Sequence, residues 1–126
     1  MVHNYPIVKY DRRRLQQVLY NLMTNAIKFT RIGTIFIKGT VTPIRDDELL
    51  LTVTVSDQGI GMRQDEVERV FDGSLDKRSA LSQSLNPYGN GIGLSFCRQI
   101  CESLNGSISA ESKLGKGSKF TFTMTV

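Results

Sequence analysis

A chain of 126 residues with 40% hydrophobic and 22% charged side chains has the length of one ordinary domain and enough apolar content to bury a core unaided. Three prolines and a net charge of only +4 exclude collagen-like and disordered chains, and no apolar run approaches the roughly 18 residues that cross a bilayer. The densest cationic run, Arg12-Arg13-Arg14, lacks the interleaved aromatic residues of a nucleic-acid platform, so it is expected as a solvated helix start rather than a phosphate contact. No secretory leader is expected.

From Asp11 to Phe29 the apolar residues Leu15, Val18, Leu19, Leu22, Met23, Ala26 and Ile27 follow the helical template without a gap, and Asp11 is placed as the N-cap. Thr34 to Ile44 and Leu49 to Ser56 read as strands joined by the polar turn Arg45-Asp46-Asp47-Glu48. In the second, Leu51, Val53 and Val55 alternate with Thr52, Thr54 and Ser56, so one face is expected to be buried. Asp57 to Met62 is a loop, and Arg63 to Phe71 a short helix with Val67, Val70 and Phe71 inward.

The segment from Asp72 to Tyr88 has no period and is rich in Ser, Gly, Asp and Asn, which marks a functional lid or mobile loop. A further helix is expected from about Gly91 to Leu104, with Ile92, Phe96, Cys97, Ile100, Cys101 and Leu104 on one face and Asn105-Gly106 as its stop. The two cysteines, Cys97 and Cys101, read as buried thiols in a reducing compartment, the cytoplasm, and are too few to hold a metal. A strand from Ser107 to Ser112, a turn at Gly115-Lys116-Gly117 and a strand alternating Phe120, Phe122, Met124 and Val126 with threonines close the chain. The expected fold class is α+β, a two-layer α/β sandwich. Its sheet is mixed but largely antiparallel and covered on one face by about three helices, with residues 1–126 forming a single domain.

Three constellations point to chemistry. Asn21, Asn25 and Lys28 fall within about 60° of one another on the first helix and more than about 100° from the centre of its apolar face. Two carboxamide oxygens one turn apart suit a hard cation that keeps waters and phosphates, as Mg²⁺ does, and Lys28 can neutralise a phosphate; a plain polar helix face has the same pattern. Asp57 follows a strand and precedes Gly59 and Gly61, which allow close backbone approach to a flat ligand. Its carboxylate accepts hydrogen bonds only and suits an exocyclic amine such as that of adenine; an Asp-x-Gly turn is the alternative. Gly89-Asn90-Gly91-Ile92-Gly93-Leu94 leads into a helix N-terminus that favours a phosphate, or else forms a hinge. Its glycine spacing is not that of a dinucleotide-binding fold, and there is no Walker A loop.

Together these residues resemble the boxes of sensor histidine kinases. Asp11 to Thr30 is similar to the N box, Asp57-x-Gly59-x-Gly61 to the G1 box and Gly89-x-Gly91-x-Gly93-Leu94 to the G2 box. Phe71-Asp72 resembles the start of the F box, and Gly115-x-Gly117 with Phe120 and Phe122 the closing element. The resemblance runs from about Tyr10 to Val126 and implies the Bergerat ATP-binding (GHKL) fold shared with type II topoisomerases, mismatch-repair ATPases and heat-shock chaperones. It implies that Asn21, Asn25 and Lys28 are catalytic, with Asn21 and Asn25 holding Mg²⁺. It places ATP against Asn25, Lys28, Phe29, Asp57, Gly59, Gly61, Met62, Gly89, Gly91, Gly93 and Leu94, under a closing 72–88 segment.

The function implied is transfer of the γ-phosphoryl group of Mg-ATP to a histidine on a separate phosphoacceptor and dimerisation domain of the same parent kinase, with a response regulator downstream. Hydrolysing relatives carry a Glu one turn before the metal-binding Asn; here Asn21 occupies that place and cannot accept a proton. Two features depart from the pattern: Ser74 stands where the F box has a second Phe, and the lone histidine, His3, lies in no phosphoacceptor context. With no dimerisation helix, the chain is expected to be a cytoplasmic catalytic domain that binds ATP without phosphorylating itself and contacts neither nucleic acid nor membrane. The competing functions are a nucleotide-binding regulatory module without catalysis and a GHKL-type ATPase.

Overall fold

The computed structural model of the chain describes residues 11–72 and 93–126. Helix α1 spans Arg12–Phe29 and starts where Asp11, in extended conformation, accepts the Arg14 N–H on its Oδ1 at 3.1 Å. This cap satisfies one of the helix's orphan donors and offsets the poor placement of three exposed arginines at a positive dipole end. The helix stops at Thr30, which turns extended while its N–H still reaches the Ala26 carbonyl at 3.1 Å.

Strands β1 (Phe36–Arg45) and β2 (Glu48–Asp57) form a hairpin in register Lys38↔Thr54 and Arg45↔Glu48. The four-residue turn expected from sequence is therefore a two-residue one, Asp46-Asp47, with Asp46 at φ +33°. Asp tolerates that region, which suits the twist of a tight hairpin. The short helix α2 (Gln64–Arg69) follows. Arg63 precedes it in extended conformation, its N–H donating to the buried Glu66 Oε1 at 3.0 Å. Helix α3 (Gly93–Ser103) and strands β3 (Ile108–Lys113) and β4 (Gly117–Thr125) complete the order.

The sheet runs β1-β2-β4-β3, and every pairing among the described residues is antiparallel. Its inner face brings Leu51, Val53 and Val55 opposite Met124, Phe122 and Phe120. These pack under Val18, Leu22, Ala26 and Phe29 of α1 and Leu94, Cys97, Ile100 and Cys101 of α3. Phe71, just beyond α2, stands edge-on to Phe120 at 6.0 Å between ring centroids and anchors that corner. The outer face carries Thr52, Thr54, Thr121 and Thr123, with the Thr54 and Thr121 hydroxyls 3.3 Å apart. This is the α+β two-layer sandwich expected from sequence, with its three described helices on one face. No helix among the described residues is long and apolar enough to cross a membrane.

Two helix faces differ from expectation. The buried arc of α1 is Val18, Leu22, Asn25, Ala26 and Phe29, whereas Ile27 is 62% exposed. At 100° per residue, this rotates the core side about 60° toward the asparagine stripe. Asn25 thus borders the core, and the separation of more than 100° expected from sequence does not hold for it. On α3, Phe96 is 41% exposed rather than inward, because the buried stripe centres on Cys97, Ile100 and Cys101 and Phe96 lies about 100° from its axis. The expected lid over 72–88, apart from Asp72, lies outside the described residues, as does Ser74.

Candidate nucleotide-binding site

The site grows from the end of β2. Asp57, paired across the sheet with Ser118, is 6% exposed. Its Oδ1 accepts the Gly59 N–H at 2.9 Å, while Oδ2 is buried without a hydrogen-bond partner among the described residues. Burial raises the Asp57 pKa, opposed by the backbone N–H groups of Gly59 and Ser118 beside it. A buried carboxylate oxygen without a donor is costly, so this arrangement suits a ligand that brings an N–H.

Backbone packing fixes where that carboxylate sits. A Cβ on Gly59 would stand 2.5 Å from the Phe29 carbonyl oxygen and 2.9 Å from Asp57 Oδ1, so the loop is pressed against the end of α1. Phe29, itself 5% exposed, is thereby brought beside Asp57 and Gly59. Gly61 has φ +70° and its missing side chain leaves room for the Lys113 carbonyl; Gly117, at φ +105°, does the same for the Asp57 carbonyl. A side chain at either position would overlap that oxygen.

Several supporting residues escaped the sequence reading. Ser112 accepts the Met62 N–H at 2.7 Å and donates to the Gly117 carbonyl at 2.9 Å. That leaves the Ser118 hydroxyl, 2.8 Å away, to donate to it. Gln58 Oε1 accepts the Thr34 N–H at 3.0 Å and ties the loop to the segment after α1. The Gly115 N–H reaches the Ile60 carbonyl at 2.7 Å. The one sequence signal was that Ser112 and Ser118 take inward positions in strands whose other inward residues are mostly apolar.

The remaining predicted site residues divide as follows. Met62 and Leu94 are core residues, 2% and 6% exposed. Asn25 is 8% exposed, Asn21 half-buried and Lys28 exposed, so the stripe runs from core edge to solvent. The Asn21 Nδ2 donates to Cys97 Sγ at 3.3 Å across the α1–α3 contact. Gly93 opens α3, and Gly89 and Gly91 lie outside the described residues.

Both cysteines are free and buried, as expected. Burial raises the Cys97 thiol, against the Asn21 hydrogen bond, and pushes Cys101 up to about 12 with help from Cys97 and Glu102. Both therefore remain protonated thiols near neutrality. An open surface depression lies elsewhere, on a different face of α1, lined by Arg13, Gln16, Gln17, Leu19, Tyr20 and Met23.

The domain is a two-layer sandwich whose central strand β2 ends in a buried aspartate beside a glycine turn, with an asparagine stripe on the covering helix. Residues 10–126 match the family described as histidine kinase-, DNA gyrase B-, and HSP90-like ATPase, and the chain belongs to it.

Among similar proteins, the adaptive-response sensory kinase SasA of Synechococcus is 42% identical over 126 residues, covering 96% of this chain and 30% of that protein. The sensor histidine kinase RcsC of Salmonella typhimurium is 40% identical over 111 residues, covering 88% of this chain and 11% of its own. The sensor protein EvgS of Escherichia coli O157:H7 is 34% identical over 120 residues, 95% of this chain and 10% of its own. The chain thus spans between about a tenth and a third of the length of these relatives.

Among solved structures, full-length ShkA in complex with AMPPNP superposes with a TM-score of 0.61 at 27% identity, over 88% of this chain and 21% of that one. The mycobacterial sensor histidine kinase MprB gives 0.65 at 23% identity over 94% and 76%, a likeness of fold. The chain corresponds to the ATPase-type catalytic domain of sensor histidine kinases.

Proposed function

We propose that residues 1–126 act as one catalytic domain that binds Mg-ATP and donates its γ-phosphoryl group to a histidine on a separate phosphoacceptor and dimerisation domain of the parent kinase. A response regulator would be the downstream acceptor and the cytoplasm the setting. The observation that carries the reading is Asp57 Oδ2, a buried acceptor at the end of β2 without a partner among the described residues. It fits the exocyclic amine of adenine, which only donates. Phe29, Gly59 and Gly61 would flank the base, and Met62 and Leu94 would support the pocket from the core.

The donor set also fits Mg²⁺. With Asn21 Nδ2 engaged by Cys97, the oxygen arms of Asn21 and Asn25 are the hard ligands this face can offer. Among the described residues no cluster of three or more His, Cys, Asp or Glu could hold a metal by itself. Two amide oxygens suit a cation that arrives with phosphates and keeps waters. When bound, the metal would neutralise charge on the transferring phosphoryl group.

The chain's own groups position and neutralise. Asp57 orients the base, Lys28 meets a phosphate, and the start of α3 at Gly93, with Gly89 and Gly91 before it, receives the phosphate tail. None of the asparagines can take a proton from water at neutral pH, which favours transfer to a supplied imidazole over hydrolysis.

Calorimetric titration of ATP with and without Mg²⁺, on the wild type and Asp57→Asn, tests the binding reading. Tight binding lost in the variant is expected; binding indifferent to Asp57 would refute it. Incubation with a phosphoacceptor domain in trans should then give an acid-labile phosphoprotein. ATP turnover without transfer would overturn the kinase assignment.

A further inference from the structure

Cys97 is fully buried one turn into α3, yet it is not merely an apolar filler. The Asn21 carboxamide, from a helix 76 residues away in sequence, donates to its sulfur at 3.3 Å. The terminal torsion of an asparagine is broad and roughly two-fold, so its oxygen has no preferred direction without a partner for the amide. Anchoring Nδ2 removes that freedom. In a planar carboxamide the nitrogen and oxygen arms diverge by about 120°, so Nδ2 facing α3 fixes Oδ1 away from it.

We propose that Cys97 is a positioning residue, whose sulfur holds the Asn21 carboxamide so that Oδ1 is presented to the nucleotide-bound Mg²⁺. The inference rests on the reading of Asn21 given under the proposed function. It adds a residue that touches neither metal nor nucleotide. Loss of a partner that orients a ligating side chain typically costs about 10–100-fold in metal affinity. A thiol is suited to this place: it is small and apolar enough for the α1–α3 seam, where Val18 and Cys101 are also fully buried, and still accepts an N–H. The contact has a second effect. Gly93, where α3 begins, lies one turn before Cys97, so the same bond also ties α1 at Asn21 to the first turns of α3.

The test uses the whole domain with Cys97→Val, close in size but without an acceptor, and Cys97→Ser, which keeps one. In nucleotide-free protein, the Asn21 side-chain NH₂ resonances should shift and exchange faster in Cys97→Val and stay near wild type in Cys97→Ser. The ATP dissociation constant is then measured with and without Mg²⁺. The expected result is that Cys97→Val loses about tenfold of the Mg²⁺-dependent tightening while its Mg²⁺-free affinity stays within about twofold of wild type, and that Cys97→Ser recovers most of the loss.

Full Mg²⁺ tightening in Cys97→Val would overturn the proposal. So would equal weakening with and without Mg²⁺, which marks a packing role. Wild-type ATP binding that ignores Mg²⁺ would instead remove the metal role of Asn21 and this inference with it. The NH₂ resonances would still report whether the contact exists.

Discussion

Gly117 offers a quantitative test of how the site is held. Its φ of +105° alone makes alanine costly by about 1–2 kcal/mol, and a Cβ there would overlap the Asp57 carbonyl and stand 3.0 Å from Gln58 Cα. Relieving that overlap means moving the backbone of β2 at the aspartate, for about another 1–3 kcal/mol. Two other glycines separate these contributions. Gly115 has φ +81° with no atom of the described residues within 4 Å of its Cβ, so its alanine variant carries strain only. Gly39, without positive φ and with no described residue near its Cβ, carries neither.

With unfolding entropy scaling with length, 126 residues give about 4 °C of Tm per kcal/mol. Thermal unfolding followed by circular dichroism should therefore show Gly39→Ala unchanged or up by about 2 °C. Gly115→Ala should fall by about 4–8 °C and Gly117→Ala by about 8–20 °C. Only Gly117→Ala should also weaken ATP binding at a temperature where all three are folded, because only there does the aspartate move. Equal losses for Gly115→Ala and Gly117→Ala, with ATP affinity intact in both, would refute the claim that the approach to Asp57 is what requires glycine.

Three further outcomes follow from the contacts. Because burial raises the Asp57 pKa in the fold, its ionised form costs stability above that pKa, and the cost is relieved as pH falls through it toward the unfolded value of 3.8. The stability difference between wild type and Asp57→Asn should thus move in the wild type's favour on acidification, measured by urea unfolding from pH 7 to 4; a difference that does not change with pH would contradict it. Ser112→Ala strands the Met62 N–H and the Gly117 carbonyl and should lower stability by about 1–3 kcal/mol, while Ser109→Ala, exposed in the same strand, should leave it nearly unchanged by the same denaturant assay. Asp11→Ala removes the α1 cap and should cost about 1 kcal/mol in chemical denaturation, with Asp11→Asn retaining most of it.

Periodicity made the framework legible. An unbroken apolar repeat and a capping aspartate placed α1 to within a residue, and the alternation in Leu51 to Val55 and Phe120 to Met124 placed the two central strands and their inner face. The orientation of α1 was less legible. A pattern counts apolar residues but not which neighbours cover them, and the helix layer covers Asn25 while leaving Ile27 open. Phe96 failed for a similar reason, being apolar at the margin of a stripe narrower than its sequence pattern. At the site, Asp57 and its glycines were visible because they carry unusual chemistry at short spacing. The roles of Gln58 and Cys97 were not, because each acts through a partner distant in the chain, and Ser112 was marked only by its inward place among apolar strand residues, which does not name the partners it joins.

The antiparallel pairing of β2 with β4 sets Asp57 opposite Ser118 across roughly sixty residues of chain. Closing such a span costs entropy before any contact rewards it, so this central pairing belongs to the slow, non-local part of folding. The β1–β2 hairpin, closed by two residues, can form early, but in it the aspartate stands on a strand with one side unpaired. The carboxylate therefore acquires its buried, half-satisfied state only when the last strand docks. A chain shortened before Gly117 would keep Asp57, Gly59 and Gly61 in sequence and have no pocket. Conversely, a nucleotide that binds only the completed sheet would draw the docking equilibrium forward, acting on the folding of its own site by mass action.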